Sequence, residues 1–317
     1  MWGLLSLIKV FEAFSGYGSQ SIALERLGIE HKVVGISEID KNAIKAYYAL
    51  HSEDIPNFGD ISKINPEDLP EFDLFTYSFP CTDISLSGKV EGIVRGKTRS
   101  GLLYECERII EHCKPKYLLM ENVKNLMGKK FRPQFQEWMN YLKSLGYNSQ
   151  CFVLDAKDFG VPQSRTRVFL VSVLNEPIYL TLKTKELDTF IYDIVDENDE
   201  SRNFIKEIPE LNGAYMNGAY RGRKKDGKYV QTLEFRGDYC SNTITTVQKD
   251  NVVVLDGKVG YLTPKECFKL MGLRDEEIEK IAKVVPKSAQ YKLAGNSIVV
   301  DVLVEIFRPL FLESGQK

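Results

Sequence analysis

The sequence predicts an α/β fold: a doubly wound, mostly parallel sheet carrying a smaller irregular domain. Three observations predict it. Strand-like and helix-like segments alternate over residues 8–175, the pattern of a parallel sheet with helices on both faces. The first strand-like run ends in Phe14-Ser-Gly16-Tyr-Gly18-Ser and the second in Ser37-Glu38-Ile39-Asp40, where nucleotide-binding folds place a glycine turn and then, about twenty residues on, a carboxylate. After Asn175-Glu-Pro177 the alternation stops, and an acidic stretch over 186–201 gives way to the basic run Arg221-Gly-Arg223-Lys-Lys-Asp-Gly-Lys228, which reads as a hairpin or loop outside the nucleotide-binding domain.

In chain order, strands are expected at Ile8–Phe14, Lys32–Ser37, Phe72–Ser78, Tyr117–Asn122, Gln150–Leu154 and Arg167–Leu174. The helices Ser19–Leu27 and Gln134–Leu145 each stop at a glycine, Gly28 and Gly146, where a left-handed cap is needed. Leu102–Cys113 carries its apolar residues on one face and stops before Pro115. The pattern turns helical again from Thr263-Pro-Lys-Glu, and Val299–Phe311 is an apolar closing helix.

Composition excludes several classes. With 43% hydrophobic and 27% charged residues, the chain has ample material for a core. A formal net charge of −2 makes no global case for a polyanion binder, so local charge must carry that argument. Six cysteines form no C-x-x-C pair and there are only three histidines, which suggests no metal site, no disulfide framework, and reduced thiols in a cytoplasm. The apolar start is short and lacks a basic leader, and no run reaches membrane-spanning length.

The chemistry centres on Ser78-Phe-Pro80-Cys81-Thr82-Asp83-Ile-Ser85. A strand delivers Cys81 into a long loop containing Ser87, Lys89, Arg95, Lys97 and Arg99, a placement suited to reaction on an anionic substrate. Alone, such a cysteine is more often a small buried hydrophobe. The other segments supply its context. Gly16 and Gly18 let backbone approach a ligand at a helix start. Glu38 can accept from ribose hydroxyls and Asp60 from an adenine amino group, which together suit an adenosine-containing cofactor. Glu121 ends another strand, on the edge shared with Cys81 if the two strands run parallel. In Gln163-Ser-Arg165-Thr-Arg167, one arginine is expected to reach the active-site edge and the other to hold the scaffold.

These motifs, followed by Gly295-Asn296-Ser297, closely resemble in order the DNA (cytosine-5) methyltransferases of bacteria and their phages. The resemblance covers 8–175 and about 260–310 and rests on Phe14-x-Gly16-x-Gly18, Glu38, Asp60, Pro80-Cys81, Arg99-Ser-Gly-Leu-Leu-Tyr-Glu, Glu121-Asn122-Val123, Gln163-x-Arg165-x-Arg167 and Gly295-Asn296-Ser297. It implies a Rossmann-like catalytic domain over 1–177 and 285–317, with a target-recognition domain over 178–284. S-adenosylmethionine, leaving as S-adenosylhomocysteine, would be held by Phe14, Gly16, Gly18, Glu38, Ile39, Asp60, Ile61, Pro80, Asn296 and Ser297. Cys81 would add to C6 of a flipped-out cytosine. Glu121, protonated in a dry pocket, would relieve charge at N3, and Arg165 would hold O2.

Lys89, Arg95, Lys97 and Arg99 are the expected phosphate contacts, Ser85 and Ser87 further DNA contacts of the same loop, and Arg221, Arg223 and Arg236 the expected base readers. The partner implied is double-stranded DNA, bound by a monomer, with a cognate restriction endonuclease acting separately or a phage self-protection role; no membrane is implied. A tRNA cytosine-5 methyltransferase of the same fold is the alternative, though it would need less than the roughly eighty residues spent on the middle segment. Two departures stand out: Thr82-Asp83 where the family usually has glutamine, and Ser19 for a frequent third glycine.

Overall fold

The computed structural model describes residues 7–84, 92–225 and 228–313. The chain forms two compact units. The first comprises Met1–Leu154, Thr166–Lys183 and Leu303–Lys317; the second comprises Asp155–Arg165 and Thr184–Val302. The expected boundaries therefore shift. Segment 155–165 belongs with the second unit because Ser164 donates to the Ser241 carbonyl and Ser241 to that of Pro162. Residues 285–302 join it too, where Val300 donates to the Met271 carbonyl.

The first unit is built on strands β1 (Ile8–Ala13), β2 (His31–Ser37), β3 (Leu74–Tyr77), β4 (Tyr117–Val123), β5 (Tyr147–Asp155) and β6 (Thr166–Leu174), in the order β2-β1-β3-β4-β6-β5. Pairs β1–β2, β1–β3 and β3–β4 are parallel, whereas β6 runs antiparallel to β4. The helices are α1 (Ser19–Arg26), α2 (Lys41–Leu50), α3 (Leu103–Cys113) and α4 (Arg132–Ser144).

Side chains alternate across β1. Phe11 and Ala13 join the core cluster that includes Cys106, Ile109 and Ile110 of α3 and Phe135 and Trp138 of α4. Glu12 points the other way, to Ser21 of α1 and Tyr47 of α2. The sheet is thus covered on both faces. Gly28 and Gly146 take positive φ, 66° and 96°, just past the ends of α1 and α4. The sequence reading passed over α2, whose signal was Asp40 accepting from the Asn42 and Ala43 amides as an N-cap.

The second unit is more regular than expected. Strands β7 (Phe204–Glu207), β8 (Tyr215–Lys225), β9 (Lys228–Phe235), β10 (Val252–Leu255) and β11 (Lys258–Tyr261) form an antiparallel sheet ordered β7-β11-β10-β8-β9. The basic run is the β8–β9 hairpin. A short α5 (Ile191–Ile194), then α6 (Pro264–Lys269), α7 (Asp275–Val284) and α8 (Lys287–Gly295), accompany it, and α9 (Val300–Phe307) closes the chain. Thr263 and Glu266 cap α6 reciprocally.

Glu266 also forms a buried pair with Arg202, at 2.5 Å and 3.0 Å. The amide of Asp196 donates to Glu266, and the carbonyls of Asp196 and Tyr261 accept from Arg202. Desolvated charges are tolerable only when satisfied in this way. Arg202→Met strands the Glu266 carboxylate and is expected to cost about 3–5 kcal/mol, read as a fall in the urea midpoint; Arg202→Met with Glu266→Leu should recover much of the loss.

Candidate active site

Because β3 and β4 are parallel and in register from Leu74↔Tyr117 to Tyr77↔Met120, the chain leaves both strands at one edge. Cys81 emerges from β3, and Glu121 and Asn122 complete β4. Asn122 Nδ2 donates to the Phe79 carbonyl at 2.9 Å, tying the two strand ends together. Cys81 is half-buried. The other five thiols, Cys106, Cys113, Cys151, Cys240 and Cys267, are all pushed up by burial, the condition of inert core cysteines.

The guanidinium that meets Glu121 belongs to Arg167. Its Nε lies 3.2 Å from Glu121 Oε1, with both side chains largely covered. The antiparallel course of β6 explains this: it enters the sheet where β4 leaves it, pairing Val123 with Arg167. Arg165, the arginine singled out from the sequence, precedes the strand and has a structural task in the second unit. Its Nη1 donates to the Ile244 carbonyl at 2.7 Å, and its Nη2 to those of Gly295 and Ser297 at 3.0 Å and 2.6 Å. Of the two arginines, Arg167 is therefore the one that meets Glu121, and Arg165 the one that binds backbone carbonyls. The surroundings of Glu121 are also charged rather than simply dry and apolar.

At the neighbouring strand ends the backbone turns sharply. Phe14, Gly16 and Gly18 all take positive φ, at 55°, 59° and 81°. A side chain at Gly18 would overlap His51 and Tyr47, so only glycine fits. Below this turn the buried Glu12 accepts from Ser21 and Tyr47 at 2.9 Å and 2.8 Å; burial pushes both its carboxyl and the Tyr47 hydroxyl up. Glu38 gathers the turn by accepting from the Gly16, Ile39 and Asp40 amides. Asn57, which the motif reading missed, accepts from the Glu38 amide and donates to its carbonyl. Ile39 is left 66% exposed beside Glu38. Asp60 accepts from the Ser62 hydroxyl and amide, which hold its carboxyl below the usual range, and Ile61 is buried behind it.

Asn296 and Ser297 belong to the second unit, where Asn296 caps α8 and the Ser297 hydroxyl donates to the Leu293 carbonyl. Of the expected DNA contacts, Ser85, Ser87 and Lys89 lie outside the described residues. Arg95 pairs with Glu107 and lies over the Tyr104 ring, tied to α3; Arg99 is exposed. In the hairpin unit Arg223 is bidentate to Glu234, Arg236 to Asp238, and Arg221 lies 3.6 Å from Asp250.

The doubly wound sheet, with the glycine turn at the end of β1, is the fold of a Rossmann-like methyltransferase. Residues 8–311 match the model of the C-5 cytosine-specific DNA methylase family, and the chain belongs to that family. Among its relatives are the type II methyltransferase M2.ScrFI of Lactococcus lactis subsp. cremoris, 36% identical over 96% of this chain and 99% of its own. Another is the orphan methyltransferase M.SssI of Spiroplasma monobiae, 31% identical over 94% and 96%. Solved structures that share the fold include the Dnmt2 methyltransferase of S. pombe, with a TM-score of 0.71 at 20% identity over 98% of this chain and 100% of that one. A putative DNA modification methyltransferase encoded in an E. coli prophage gives 0.68 at 20% over the same shares. The protein is thus a DNA (cytosine-5)-methyltransferase, and the family match favours this over the RNA-directed alternative.

The two arginines should separate experimentally. Arg167→Ala is expected to lower the methyl-transfer rate by about 10²-fold or more in protein that still melts cooperatively. Arg165→Ala removes the donors of two buried carbonyls and one partly buried one and should cost about 2–4 kcal/mol of stability, visible in thermal melts before any assay of activity.

Proposed function

We propose that the protein transfers a methyl group from S-adenosylmethionine to C5 of a cytosine turned out of duplex DNA, within a short recognised sequence. The observation that carries this reading is the meeting of Glu121 and Arg167 at the end of β4, one strand from the end of β3 that delivers Cys81. Cytosine C5 is a weak nucleophile because its ring is aromatic and neutral. The Cys81 thiolate adds to C6, and the electron pair displaced from the C5–C6 bond makes C5 enamine-like. Glu121, in its protonated form, donates a hydrogen bond at N3 and Arg167 holds O2, drawing off the developing charge. After transfer, a base removes the C5 proton, the C5–C6 double bond reforms and Sγ leaves. Unstacking the base costs a few kcal/mol, which contacts to the DNA backbone offset.

The residues present suit the cofactor. Glu38 has about four acceptor positions, of which three are taken by loop amides. The exposed Ile39 offers an apolar surface beside it, and Asp60 offers an ionised acceptor. Phe14, Gly16, Gly18, Ile61 and Pro80 shape the same strand-end region, and Asn296 and Ser297 are assigned to the cofactor through the family pattern. When bound, S-adenosylmethionine supplies an electrophilic methyl group and leaves as S-adenosylhomocysteine.

Sequence reading is assigned to Arg221, Arg223 and Arg236, since arginine bidentate to guanine is the commonest specific base contact. Arg95 and Arg99, with Ser85, Ser87 and Lys89, are assigned to the DNA backbone. A cytoplasmic protein of a restriction-modification pair, its nuclease acting separately, or one protecting a phage genome, fits this reading; no described helix is long and apolar enough to cross a membrane.

The test is whole-genome methylation sequencing of bacteria that lack their own cytosine methylation, expressing this protein or its Cys81→Ala variant. The expected result is 5-methylcytosine confined to one short motif and absent with the variant. Unmodified DNA despite folded protein would transfer the reading to tRNA, to be assayed for 5-methylcytosine in digests.

A further inference from the structure

We propose that Asp83 and Ser100 form a clasp that positions Cys81 for attack; this rests on the reading of Cys81 as the nucleophile. Asp83 follows Thr82, which stands where the family usually has glutamine, and it is a buried carboxylate, only 6% exposed. Its Oδ2 accepts from the Ser100 amide at 2.8 Å and from the Thr82 hydroxyl at 3.4 Å. Its own amide donates to Ser100 Oγ at 3.3 Å. Ser100, fully buried, then donates from Oγ to the Pro80 carbonyl at 2.6 Å. The clasp thus joins positions seventeen residues apart in the chain and ends on the peptide unit that carries Cys81.

That contact completes a series. The Phe79 carbonyl accepts from Asn122, the Pro80 carbonyl from Ser100, and the Cys81 carbonyl from the Ile84 amide at 3.1 Å. Three successive peptide planes are therefore fixed, and the ring of Pro80 fixes its own φ. Little freedom remains to Cys81 beyond rotation of its side chain. A buried carboxylate is costly to keep without hydrogen bonds, and Asp83 directs its bonds to the group that holds Pro80. Asp83 and Ser100 are positioning residues, acting through the backbone of the nucleophile.

The experiment uses the full chain, S-adenosylmethionine, and bacterial genomic DNA substituted with 5-aza-2′-deoxycytidine, which traps an attacking thiol covalently whatever sequence is recognised. Wild-type protein should form complexes stable to SDS and Cys81→Ala none. Capture of the Cys81→Ala protein would remove the nucleophile reading itself and the clasp with it. With that control in place, Asp83→Ala should slow capture by about 10²-fold and the isosteric Asp83→Asn by about tenfold. DNA retained on filters without SDS should stay within about threefold of wild type for both, since positioning of the thiol does not affect binding.

Ser100→Ala should also slow capture, and the double variant Asp83→Ala/Ser100→Ala should be no slower than Asp83→Ala alone, because the two act as one unit. Wild-type capture rates in Asp83→Ala, additive losses in the double variant, or DNA retention falling in step with capture would each overturn the proposal. Should Asp83→Ala lose its cooperative melt, Asp83→Asn carries the test, and its capture at the wild-type rate would overturn the clasp.

Discussion

The direction of β6 is the constraint on which the site depends. β3 and β4 run parallel and leave the sheet at one edge, which brings a cysteine and a carboxylate together from segments some forty residues apart. β6 runs against them, so its first residues arrive where theirs depart. Had β6 been parallel, Arg167 would lie opposite Tyr117, four residues back along β4 and roughly 13 Å from Glu121 at about 3.3 Å per residue. One reversed strand in a mostly parallel sheet thus supplies the cation of the pair.

An edge of this kind has a cost, because the ladder ends and the carbonyls beyond it lose their strand partners. Asn122 takes the Phe79 carbonyl, Ser100 that of Pro80, and Asn125 that of Ile84 at 2.6 Å. Side chains thereby replace the ladder where the chain must turn. The same solution appears at the other strand ends. Glu38 collects three amides around the glycine turn, and Asn57 serves both the amide and carbonyl of Glu38. Phe14 at φ 55° is the strained residue of that turn, a conformation that persists only when its surroundings over-determine it; here the Phe14 amide is bound to the Ser37 carbonyl at 2.8 Å.

Much of this was legible in the sequence, and the parts that were not share a physical cause. All six strands of the first unit fall within three residues of their expected starts, since most of them contain a short apolar run closed by glycine, proline or polar residues. The positions of Cys81, Glu38 and Glu121 at strand ends followed directly. Strand direction is not encoded in such runs, so the residues alone leave open which arginine reaches the edge: only the antiparallel pairing shows that the arginine inside the strand, rather than the one before it, reaches Glu121. The roles of Asp83 and Ser100 were hidden because they form across a loop and depend on burial. The hairpin at 221–228 was visible from its charge and glycine brackets. The sheet around it was not, because β7 is exposed along its length and β10 is a short run of valines followed by leucine.

The charge of the second unit also looks different once its partners are known. By sequence, the stretch around the hairpin is an excess of cations in a chain of net charge −2. In the structure its arginines face carboxylates: Arg223 with Glu234, Arg236 with Asp238 and Asn242, Arg221 with Asp250. A surface that holds a polyanion at any sequence needs unneutralised positive charge, since non-specific affinity comes from displaced counterions. Paired guanidiniums contribute less to such a field, but their planes are set by the carboxylates that hold them. Under the base-reading role proposed for these arginines, what the surface gives up in general attraction it gains in oriented donors, which discrimination between base edges requires.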